Sequence, residues 1–99
     1  MANKTELLRF LDQHVFDPIL HAAPDGYSDA DRKKLQDVQD RTRSEKDRFH
    51  HYHSAQDIID NYKDDLHSST AKRVNSELER LKLPTLPSVE DDFMKVAGS

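Results

Sequence analysis

One short polar signature recurs along this chain and cuts it into pieces: a residue able to cap a helix, then an acid three positions later. It occurs at Asn3/Glu6, Ser28/Asp31, Ser54/Asp57 and Ser88/Asp91. The side-chain oxygen of the first residue accepts a hydrogen bond from an orphan N–H at the helix start, and the acid suits the positive end of the helix dipole. Behind each cap, apolar residues return at helical spacing. The first set is Leu7, Leu8, Leu11 and Val15, with Phe10 beside them; the second is Leu35, Val38, Thr42 and Phe49. The third is Ile58, Ile59, Tyr62 and Leu66, and the last is Val89, Phe93, Met94 and Val96. A further helix, from about Thr70 to Lys82, follows the polar run Ser68-Ser69-Thr70 and carries Ala71, Val74, Leu78 and Leu81. No segment alternates with period two for long enough to be a strand. The pattern predicts an all-α fold: one domain over residues 1–99, built as a compact orthogonal bundle of five or six short helices.

Proline and glycine punctuate this plan. Pro18 follows Asp17, and proline removes a backbone donor and crowds the carbonyl four residues back. The expectation is a break there, with Asp17 capping a short helix that carries Ile19 and Leu20; the alternative is a single kinked helix reaching about Ala23. Residues 24–27, Pro-Asp-Gly-Tyr, have turn chemistry. The segment LKLPTLP, with two prolines, reads as extended or turn-like. Its Leu83 and Leu86 are candidate contact residues for a partner, with closure of the core as the competing use.

Charge narrows the functional classes. Charged residues make up 34% of the chain against a usual share of about 25%. The net charge is −4, which argues against nucleic acid and against anionic membrane surfaces. On the long polar helix that ends near Phe49, basic residues such as Arg32, Lys33, Arg41, Arg43, Lys46 and Arg48 are nearly balanced by interleaved aspartates and glutamates. There is no cysteine, which removes disulfides, thiol catalysis and iron–sulfur clusters. The opening MANKTELLRF has no apolar run of the kind a signal peptide needs, and no stretch approaches membrane-spanning length, so the expected location is the cytoplasm.

The densest chemistry lies in RFHHYHSAQDIIDNYKDDLHSS, residues 48–69. His50, His51, His53, Asp57 and His67 form a candidate site for zinc or another divalent cation, since imidazole and carboxylate are the ligands such ions take. The spacing works against it. A helix beginning at Ser54 puts Asp57, Asp60, Asp64 and His67 opposite the apolar stripe, as any solvated face would be. Neighbours three or four apart can share an ion, so the helix alone supplies two ligands at a time. His50, His51 and His53 then fall in the turn before the helix, with Tyr52 beside Phe49 as an anchor. Around them no nucleophile elbow, phosphate loop or dinucleotide fingerprint occurs, and Ser54 is accounted for as a cap. No catalytic residue is assigned, and the reading is not enzymatic.

Across HVFDPILHAAPDGY, RFHHYHSAQDIIDNYKDDL and the later LPTL, the chain resembles a family of small uncharacterised bacterial helical proteins. The resemblance implies a compact helical domain over most of the length and carries no activity, cofactor or site residue. The residues favour a small interaction or regulatory module whose partner is another protein or a second copy of the chain. The alternative is a divalent-metal-binding protein centred on the histidine-rich region.

Overall fold

The apolar stripes and caps produce helices throughout the computed structural model, which describes residues 3–66, 69–83 and 85–98. In chain order these are α1 (Lys4–Leu11), a π-helical stretch (Asp12–Phe16), α2 (Asp17–Leu20), α3 (Asp29–His50), α4 (Ala55–Leu66), α5 (Ser69–Arg80) and α6 (Leu86–Gly98). Among the described residues there is no strand, and no helix is long and apolar enough to cross a membrane. Three of the four caps work as the sequence implies. The Asn3 Oδ1 accepts from Glu6 N–H at 2.9 Å, the Ser28 Oγ from Asp31 N–H at 3.2 Å, and the Ser54 Oγ from Asp57 N–H at 3.1 Å. The fourth does not: α6 begins at Leu86, so Ser88 lies inside the helix and Glu90–Asp92 fall beyond its first turn. Pro87 explains the earlier start, because its missing N–H costs nothing in the first turn of a helix.

The expected break at Pro18 is absent. Asp17 has helical angles (φ −66°, ψ −38°), and the chain stays helical from Lys4 to Leu20. Instead of breaking, the helix widens. The Asp17 N–H donates to the Asp12 carbonyl five residues back rather than four. A wider turn makes room where the proline ring would press on the preceding turn and where one ladder bond is lost anyway. It also changes which residues share a face: positions five apart now stack. Leu11 and Phe16 both enter the core, and Asp12 and Asp17 both turn toward α3. Phe16 is 4% exposed, although a regular helical period leaves it off the apolar stripe.

Beyond Leu20 the end of α2 is closed from outside. The Gln39 side-chain amide, on α3, donates to the carbonyls of Ile19 (3.1 Å), Leu20 (3.4 Å) and Ala22 (3.0 Å). Carbonyls at a helix end run short of donors from their own helix, although that of Ile19 also accepts from the Ala22 N–H at 3.3 Å. The turn at 24–27 forms as its residues require, with Tyr27 N–H on the Pro24 carbonyl at 3.1 Å and Gly26 at φ +80°. The Tyr27 hydroxyl then donates to the Leu81 carbonyl at 2.8 Å, tying this turn to the end of α5.

The core forms two clusters along a molecule of 43 × 20 × 18 Å. The larger joins Leu7, Leu8, Leu11, Val15 and Phe16 to Phe49, Ile58, Ile59, Tyr62, Phe93 and Ala97. Rings fill it: Tyr62 lies 4.1 Å from Phe93 and Phe16 lies 5.8 Å from Phe49. Burial, with a smaller contribution from Glu90, raises the pKa of Tyr62. The smaller cluster joins Ile19, Val38 and Leu78, with Val74 and Leu83 packed against it. Leu83 is thus half-buried by a helix stop. Its N–H donates to the Leu78 carbonyl at 2.9 Å, and Lys82 N–H donates to the Glu79 carbonyl at 3.0 Å. This is a Schellman closure, with an apolar contact between the two leucines. Lys82 occupies the left-handed position at φ +59°, where glycine is the usual residue. The segment LKLPTLP is therefore less extended than its prolines suggest, since Leu86 and Pro87 already belong to α6.

Two stability effects follow. Lys82→Gly should stabilise the protein by about 0.5–1 kcal/mol, because the left-handed conformation penalises a Cβ. Gln39→Ala should destabilise it by about 1–2 kcal/mol by removing the side-chain donor to the carbonyls at the end of α2. Urea denaturation of each variant beside the wild type measures both, with opposite displacements of the midpoint expected.

Candidate functional site

Where the widened turn meets α3, four charged or titratable side chains come together. Lys46 and His50 stand four apart on α3 and so share a face. The Lys46 Nζ donates to Asp17 Oδ1 at 2.8 Å and lies 4.0 Å from Asp12 Oδ1. The His50 Nε2 lies 2.9 and 3.0 Å from the two oxygens of Asp12. An ionised carboxylate only accepts, so Nε2 must carry the hydrogen; in the neutral ring Nδ1 is then the free acceptor. The hydrogen bond to Asp17 raises the Lys46 pKa, and the charges of Asp12, Asp17 and Asp47 add to that against a lowering by burial. A raised amine pKa stabilises the fold at every pH below the unfolded value and loses that contribution as pH climbs through the folded value. The Lys46 contribution is therefore fully present at neutral pH.

Beside this junction runs an open groove of about 470 Å³, lined by Thr5, Leu8, Arg9, Asp12, Gln13 and His50. Leu8 gives it an apolar floor. The lining residues come from the outer face of α1 and the π stretch, with His50 closing the far side. Arg9 makes no ion pair among the described residues, so its guanidinium donors remain open to an incoming group.

The histidine-rich segment is organised differently from what its composition suggests. His50 is the last residue of α3 rather than part of the following turn, and it faces Asp12. His51 caps that helix, and its Nδ1 lies 2.6 Å from the Asp47 carbonyl. His53 is exposed in the turn before α4. Asp57 is exposed on α4, with its N–H on Ser54 and its carbonyl accepting from the Asn61 amide at 2.8 Å. His67 lies outside the described residues. Among the described residues no group of three or more histidines, aspartates and glutamates is placed to hold an ion. Asp57, Asp60 and Asp64 face solvent, opposite buried Ile58, Ile59 and Tyr62. His14 stacks on Phe10 at 4.6 Å between ring centres. Tyr52 anchors the turn as its neighbours suggest, edge-on to Phe49 at 5.2 Å with its hydroxyl 3.1 Å from Arg48 Nη1. Of the candidate contact pair, Leu83 packs on the smaller core, and the side chain of Leu86 is outside the description.

No family model, curated protein or solved structure matches the chain.

No motif in the sequence marks Asp12, Arg9 or Gln13, and Lys46 enters only through the charge balance of its helix. The available signal was the five-residue spacing of Asp12 and Asp17 ahead of Pro18, together with Lys46 and His50 one turn apart. Zinc tests the older candidate directly. With His50 and His51 engaged inside the fold, amide and imidazole NMR signals of metal-stripped protein should move weakly and without saturation at neutral pH. Saturation at one equivalent, confined to residues 50–67, would establish a metal site instead.

Proposed function

We propose that this protein is a small, non-catalytic cytoplasmic module that binds another protein through the groove at the α1–α3 junction. The observation that carries the reading is the groove itself. It is open, has an apolar floor, and is edged by polar side chains on rigid helices rather than on loops. A site built on helices holds its geometry before a partner arrives, which lowers the ordering cost of binding. The π-helical turn at its edge is of a kind that recurs at functional positions. The Lys46 and His50 contacts hold that edge in place. The lack of cysteine fits a cytoplasmic setting.

Filling the groove tests this. Gln13 lines the groove and is exposed, so Gln13→Trp should occlude it while leaving the thermal melt unchanged. Lys33→Trp, on an exposed position of α3 away from the groove, is the control. Tagged proteins are expressed in the native cell and compared by quantitative mass spectrometry, with self-association followed by sedimentation. The expected result is that Gln13→Trp loses an association that wild type and Lys33→Trp share. Identical association profiles for all three would reject the groove as the binding surface.

A further inference from the structure

Of the charged side chains that line the groove, Arg9 alone has no charged partner among the described residues, and this sets the chemistry of what the groove can hold. Its one carboxylate, Asp12, already has both oxygens on His50 Nε2 and has Lys46 close by. Arg9 has no ion pair, and neither the Thr5 hydroxyl nor the Gln13 amide makes a side-chain hydrogen bond among the described residues. Arg9 and Gln13 are four apart and share a face of the helix, with Leu8 beside them.

We infer that the groove receives an acidic side chain of the partner protein, its carboxylate held by the fork of Arg9 and its aliphatic neighbours resting on Leu8. This rests on the groove being the binding surface. A guanidinium matches the two oxygens of a carboxylate in parallel, which an ammonium cannot do. A phosphate fits less well: its second negative charge would have no second unpaired cation and would sit in the same wall as Asp12. A basic side chain would meet Arg9 and find Asp12 already engaged.

The test is an amide NMR titration of the full chain with three end-blocked tripeptides, Leu-Glu-Leu, Leu-Gln-Leu and Leu-Lys-Leu, and with inorganic phosphate. Saturable shifts at Thr5, Arg9 and Gln13 with the glutamate peptide alone are expected. Arg9→Gln should weaken that binding about tenfold or more, with Arg9→Lys in between. Arg9 is exposed on α1, so both variants should keep the wild-type spectrum elsewhere. Equal or tighter binding of the glutamine or lysine peptide, or of phosphate, would overturn the carboxylate assignment while leaving the groove a binding surface. So would unchanged affinity in Arg9→Gln. Failure of every probe, with Gln13→Trp still losing the cellular association, overturns the carboxylate chemistry alone; failure of both removes the groove as well.

Discussion

Everything at the groove end of this molecule depends on how the first helix passes Pro18. A regular α-helix cannot run through a proline without losing a bond and crowding the turn behind it. The chain answers by inserting one residue into the turn. That insertion sets the phase of everything after it, and so decides that Phe16 enters the core and that Asp12 and Asp17 point the same way. Lys46 and His50 then hold the widened turn from α3. The pairings are partly exposed, and such pairs are individually weak. Their effect is geometric: they hold one edge of the groove in place.

The fold was largely readable because it is made from local rules. Caps and apolar spacing located α1, α3 and α4 closely, and the thin stripe of Leu35, Val38, Thr42 and Phe49 is the buried stripe of α3. Two elements were not legible in the same way. The start of α6 was masked by a competing signal, since Ser88 with Asp91 looks like a cap while Pro87 permits a start at Leu86. Ala97 is buried yet too small to stand out in an apolar pattern. The course of the chain at Pro18 was open for a different reason. Break, kink and widening all obey the local rules, and only contacts with α3 select among them.

The candidate site was much less visible than the fold. Density of histidine and aspartate drew attention to residues 50–67, where the acids lie on a solvated face and His51 serves its own helix end. Of the described histidines and aspartates in that group, His50 alone is placed against a charged side chain from another helix, and its partner, Asp12, lies 38 positions away. No spacing rule within a segment can find such a pair. Nor could it foresee the use of Gln39, whose neighbours are polar and whose importance lies in carbonyls on another helix.

The two core clusters are joined by α3, which gives Val38 to the smaller and Phe49 to the larger. Val38 and Phe49 are eleven positions apart, roughly 16 Å at the helical rise. A helix that belongs to both cores has its position set by the packing of both. Lys46 and His50 stand on this same helix, so one edge of the groove and the smaller core share a single element.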